Sequence, residues 1–151
     1  MFNVVLHEPE IPPNTGNLMR LCVNTGCELH LVHPLGFELD DARMRRAGLD
    51  YQEHARVHHH DSINDMLDGR QETRVFAFSQ HGSTVYTDIA FQPGDVLLFG
   101  KESVGLPERV VKAEYVTEVV RIPIAPGGRS LNLANAAAIA VYEAWRQNGF
   151  A

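Results

Sequence analysis

Short apolar runs alternate with longer helical patterns along this chain, beginning with Phe2–Leu6, a run broken only by Asn3. Near-continuous hydrophobicity of that length marks a strand buried on both faces of a parallel sheet. A turn follows over His7–Asn14, where Pro9, Pro12 and Pro13 argue against regular helix. The pattern then predicts a helix over Thr15–Thr25, with Gly26 placed to end it in a left-handed turn. Glu28–Val32 reads as a second strand, closed by Pro34 and Gly36. Asp40–Gly48 reads as a short basic helix, and Ser62 as the cap of another reaching Leu67. Strands are predicted at Arg74–Phe78, Asp95–Phe99 and Val116–Ile122, and a closing helix at Leu131–Gln147. This alternation predicts an α/β fold with a largely parallel sheet.

Composition adds little to the fold but narrows the function. A chain of 151 residues with 44% hydrophobic and 21% charged residues suits one domain with a real core. No low-complexity linker or internal repeat divides it. The formal charge of −6 argues against a general nucleic-acid binder, since phosphate neutralisation needs clustered cations. It leaves room for a local patch at Arg43, Arg45 and Arg46, to which the fold can add Arg20, Arg121 and Arg129. Cys22 and Cys27 match no zinc or redox spacing and read as buried free thiols. No signal sequence or membrane span is evident, so a soluble, cytoplasmic protein is expected. The eight histidines show no metal-binding spacing, no metal is expected, and His58–His60 reads as a solvated tract. His7 and His81 fall near strand ends, where a ligand contact or an ordinary structural role is possible.

Three loops after predicted strands carry the candidate chemistry. The first runs Asn14-Thr15-Gly16-Asn17 to Arg20, with donors near a helix start that suit an anion. The second is Phe99-Gly100-Lys101-Glu102-Ser103-Val104-Gly105-Leu106-Pro107, where Gly100 lets a ligand approach the main chain. Neither a P-loop nor the G-x-G-x-x-G dinucleotide fingerprint is present, which argues against a Rossmann-type nucleotide enzyme. The third is Ile122-Pro123-Ile124 followed by Arg129-Ser130-Leu131-Asn132-Leu133-Ala134-Asn135, a loop leading into an alanine-rich helix. Ile139, Tyr142, Trp145 and Arg146 recur along that helix at spacing that fits its own sheet or a subunit interface. Glu8, Glu10 and Glu102 are candidate bases by residue type alone.

In this order and at these strand ends, the three motifs resemble those of the SPOUT class of RNA methyltransferases, over nearly the whole chain. Glu8–Asn17, Arg45–Tyr51 and Tyr142–Gln147 look like its compact subfamily acting on the wobble cytidine or uridine of tRNA. The resemblance implies a single parallel-sheet domain with a C-terminal deep trefoil knot, which general rules of chain connection would not suggest. It also implies a homodimer, S-adenosyl-L-methionine as cofactor, and the tRNA anticodon stem-loop as partner. By the family pattern, Phe78, Gly100, Glu102, Ile122, Ile124, Ser130, Leu131 and Asn135 line the cofactor pocket. Arg20, Ser130, Asn132 and Tyr142 are the expected catalytic group, and Arg43, Arg45, Arg46, Arg129 and Tyr142 the expected RNA contacts. The alternatives are methylation of a ribosomal RNA ribose, or a non-catalytic RNA-binding module.

Overall fold

The computed structural model describes residues 1–40, 42, 46 and 56–151. Its framework is a seven-stranded sheet in the order β3-β2-β1-β6-β4-β7-β5, with every pairing parallel. The strands are β1 Asn3–His7, β2 Glu28–Val32, β3 Val57–His60, β4 Val75–Phe78, β5 Thr84–Val85, β6 Val96–Phe99 and β7 Glu118–Arg121. β1 lies near the middle, with Val5 opposite His30 on one side and Leu98 on the other. The predicted α/β class and its five strands are therefore observed.

Helices α1 (Pro12–Thr25), α2 (Ile63–Leu67), α3 (Glu108–Val111) and α4 (Leu133–Gln147) cover the two faces. Alternate strand residues point to opposite faces, so each strand feeds two cores. Val4, Leu6, Phe76, Leu97 and Phe99 pack with Leu18, Met19 and Cys22 of α1 and Ala137, Ala140 and Val141 of α4. Val5, Val75, Ala77, Val96 and Leu98 pack instead with Ile63 and Met66 of α2 and Val110 of α3. Both cysteines are buried and free, as expected, and Gly26 ends α1 at φ 73°.

Three local readings change. α1 starts at Pro12 rather than Thr15, because the first helical positions need no amide donor and accept proline's fixed φ. The solvated histidine tract is strand β3, in which His58 and His59 are exposed but His60 is half-buried and meets His30. α4 starts at Leu133 rather than Leu131, with Asn132 as its cap. The expected helix Asp40–Gly48 falls mostly outside the described residues, as do Arg43 and Arg45; Ala42 and Arg46 are helical and exposed.

Candidate active site

The three loops singled out in the sequence meet at the carboxyl ends of β1, β4, β6 and β7, around a cavity of about 570 Å³. That position is where open parallel sheets usually hold ligands, and the volume suits a small molecule. Stacked rings of Phe78 and Phe99, with centroids 4.7 Å apart, form part of the wall. Ile122, Ile124, Leu131 and Ala136 add further apolar surface. Gly100 follows β6 directly, and a Cβ there would lie 2.1 Å from the Gly105 carbonyl carbon. Only glycine lets the loop fold back this tightly.

A polar relay ties the loops together. Asn132 donates from Nδ2 to Asn14 Oδ1 at 2.9 Å, and Asn14 donates from Nδ2 to Glu102 Oε1 at 3.2 Å. The Glu102 carboxylate also accepts from the Glu10 amide at 2.7 Å and the Ile11 amide at 3.1 Å. Asn132 Oδ1 meanwhile accepts from the amides of Ala134 and Asn135 at 2.9 and 3.2 Å, capping α4. One asparagine thus starts the closing helix and joins it to the first loop.

Of the expected pocket residues, Phe78, Gly100, Glu102, Ile122, Ile124, Ser130 and Leu131 line the cavity. Asn135 does not; its backbone amide instead completes the helix cap. Ser130 and Asn132 line the cavity, whereas Arg20 and Tyr142 stand exposed on α1 and α4 outside the lining. Arg129 is exposed beside Ser130. His81 reaches the lining, but His7 is buried at 3% exposure away from it. Burial holds the His7 imidazole below its ordinary pKa, against the opposing pull of Glu8.

The three candidate bases are already occupied. Glu8 pairs with Lys101 at 3.2 Å, Glu102 accepts the three donors just named, and Glu10 accepts from Ser103. The hydroxyl and amide of Ser103 hold the Glu10 carboxyl below the usual carboxylate pKa, because bonds to the charged form favour it. In the structure these carboxylates fasten loops to one another.

Residue-level reading of the sequence missed Gln80, whose Oε1 accepts from Ser130 Oγ at 3.0 Å. It lies just past the carboxyl end of β4, where the Ser79 amide donates to Val120 O at 2.9 Å and turns the loop toward the cavity. Position after a sheet strand was the available signal.

A family model described as the SpoU rRNA Methylase family matches residues 1–142. The chain belongs to the SpoU rRNA methylase family. Within the family, a protein named tRNA (cytidine(34)-2′-O)-methyltransferase from Polaromonas sp. is 55% identical, covering 100% of this chain and 93% of that protein. A solved structure described as "Structural insights into the 2-OH methylation of C/U34 on tRNA" superposes with a TM-score of 0.90 at 45% identity. That match covers 99% of this chain and 97% of the other. The SpoU methyltransferase AviRb from Streptomyces viridochromogenes, solved in complex with the cofactor AdoMet, gives a TM-score of 0.81 at 26% identity. It covers 97% of this chain but 57% of that larger one. The SPOUT methyltransferase fold is thus shared along essentially the whole of this chain.

Among the described residues, no group of three or more His, Cys, Asp or Glu side chains is arranged to hold a metal ion. No described helix is long and apolar enough to cross a membrane.

Proposed function

We propose that this chain transfers a methyl group from S-adenosyl-L-methionine to the ribose 2′-hydroxyl of the wobble cytidine or uridine of tRNA. The observation that carries the reading is the Asn132–Asn14–Glu102 relay, which draws three distant motifs around one cavity. Full-length likeness to proteins named for the same reaction at position 34 supports the substrate.

The cavity suits this cofactor on its own chemistry. Phe78, Ile122, Ile124 and Leu131 offer apolar surface for a purine, and the backbone at Gly100 is open to close approach. Lys101 is neutralised by Glu8, so it places no free cation against a sulfonium. When bound, S-adenosyl-L-methionine supplies an activated methyl group on positively charged sulfur. The protein's task is to align the ribose hydroxyl and manage its proton, and alignment alone lowers a barrier substantially.

Ser130 and Asn132 face the cavity and are assigned to that alignment, with Ser130 steadied by Gln80. Arg20 is assigned to the RNA phosphate beside the reacting ribose, where its charge stabilises the developing alkoxide. A guanidinium stays protonated, so Arg20 is not the base; substrate phosphate or water takes the proton. Tyr142 and Arg129 offer an aromatic surface and a cation to unpaired anticodon-loop bases. The reading includes the threaded C-terminal segment and a homodimer that covers Ile139 on α4, which is 36% exposed.

Labelled S-adenosyl-L-methionine incubated with the protein and unmodified tRNA tests the reading, followed by mapping of the methylated ribose. Label is expected at the wobble position and nowhere else in the tRNA. Arg20→Ala is expected to remove turnover while leaving cofactor binding within about threefold of the unaltered protein. Label confined to a ribosomal RNA ribose, or no label on any RNA, overturns the assignment.

A further inference from the structure

The loop that forms one cavity wall, Lys101–Gly105, has little apolar anchorage of its own. Val104 at its tip is 76% exposed, and Gly105 beside it sits at φ 72°. Its shape must come from the polar groups that hold it, since an exposed loop without buried contacts opens at low cost.

The Gly105 amide closes the loop on Lys101 O at 2.9 Å and Asn14 holds Glu102; the other bonds join it to the segment Glu8–Ile11 and run in both directions. Glu102 reaches from the loop to accept the Glu10 and Ile11 amides. Glu10 reaches back, its Oε1 accepting from the Ser103 amide at 3.1 Å and from Ser103 Oγ at 2.5 Å. Lys101 adds its ion pair with Glu8, whose backbone sits at φ 53°, a region that non-glycine residues rarely occupy. The Glu8 amide is tied to Val32 O at 2.9 Å, so this conformation is held from both sides.

Glu10 is itself backed by a third loop. The Gly36 amide donates to Pro9 O at 2.9 Å, and a Cβ on Gly36 would lie 2.9 Å from the Glu10 Cα. The backbone of Glu10 is therefore packed closely against Gly36. Ser103 lines the cavity, whereas Glu10 does not.

We propose that Glu10 is a positioning residue for the reaction: its carboxylate clamps the Ser103 amide and hydroxyl and fixes the Lys101–Gly105 loop as the cofactor-binding wall. The inference rests on the reading that the cavity takes S-adenosyl-L-methionine. Charge-assisted bonds to amide and hydroxyl donors are the strong kind, and here they set the loop before any ligand arrives. The clamp acts on affinity more than on the chemical step, because the Asn132–Asn14–Glu102 relay does not pass through the Glu10 side chain.

The test is calorimetric binding of S-adenosyl-L-methionine to the full chain, to Glu10→Ala, Glu10→Gln and Ser103→Ala, and to the Glu10→Ala/Ser103→Ala pair. Glu10→Ala is expected to weaken binding about tenfold, with kcat at saturating cofactor within about threefold. Glu10→Gln keeps an acceptor oxygen and is expected to recover most of the affinity. The double variant is expected to bind no more weakly than the worse single one, since both remove one shared contact. In the cofactor-free protein, Glu10→Ala is expected to speed hydrogen exchange at the Ser103 amide and leave that of Val5 in β1 unchanged. Loss of protection at Val5 as well would mean that Glu10 serves the fold at large, which overturns the clamp. Equal affinity of Glu10→Ala and the unaltered chain, or additive losses in the double variant, also overturns it. Failure of the unaltered chain to bind the cofactor overturns the functional reading and this inference together.

Discussion

His30 shows how one buried side chain can report on the whole fold. It is 1% exposed, with Nδ1 3.0 Å from His60 Nε2 and Nε2 3.2 Å from Asn3 Oδ1. Asn3 Oδ1 also accepts from Arg70 Nη1 at 2.9 Å, so it is an acceptor and His30 carries its proton on Nε2. His30 Nδ1 is then the acceptor for His60 Nε2–H, which leaves His60 Nδ1 facing Asp65 at 3.7 Å. Burial, reinforced by His58, Arg70 and His60, pushes the His30 pKa from 6.5 down to about 3, although Glu28 lies 3.6 Å away. The unfolded chain therefore takes up this proton first as pH falls. The contribution of neutral His30 to stability is complete above about pH 6.5 and is lost progressively toward about pH 3. The expected slope is at most about 1.4 kcal/mol per pH unit, with His59 and His60, also lowered by burial, adding in the same sense. Urea unfolding at several pH values should show this loss, and His30→Gln should flatten it. Parallel curves for the two proteins would remove His30 from the account.

Among the elements, the loop after β6 and the start of α4 do the most to shape the site. Asn132 caps α4 and reaches Asn14, while Ala137, Ala140 and Ala144, all fully buried, let that helix lie close to its neighbours. Gly100→Ala places a methyl group 2.1 Å from one backbone atom and 2.2 Å from another, and no side-chain adjustment relieves that. It is expected to lower the thermal midpoint by several degrees and weaken cofactor binding more than tenfold. Gly69→Ala is the comparison: its φ is 75° and nothing lies within 4 Å, so only the backbone strain of about 1 kcal/mol remains. A Gly100→Ala protein with unchanged stability and affinity would mean that the loop can fold another way. At this scale the apolar runs were legible, but β3 was not. Val57–His60 has no strand pattern of its own, and its order comes from pairing with β2 and the contact between His60 and His30.

On the scale of the molecule, a net charge of −6 must be reconciled with a polyanionic substrate. The basic residues near the proposed RNA path have to work against the rest of the surface, so tRNA binding should depend steeply on salt. Affinity is expected to fall by an order of magnitude or more between about 50 and 200 mM salt. Replacing exposed Arg46 by Ala should lower the slope of log affinity against log salt by about one. A flat dependence would mean that stacking and shape, rather than phosphate neutralisation, carry the affinity.

The sequence by itself determined the α/β class, five of the seven strands, the glycine stop after α1 and the three loops that form the site. These features follow from near-neighbour sterics and the period of apolar residues, which act within a few positions of the chain. Only the tertiary structure decided that β6 lies between β1 and β4, and that Asn132 meets Asn14 across 118 positions. It alone showed Glu10 and Glu102 fastening loops together and brought Gln80 against Ser130. Contacts of that range depend on how the whole sheet closes and which buried polar groups find partners. They leave no periodic mark in the chain.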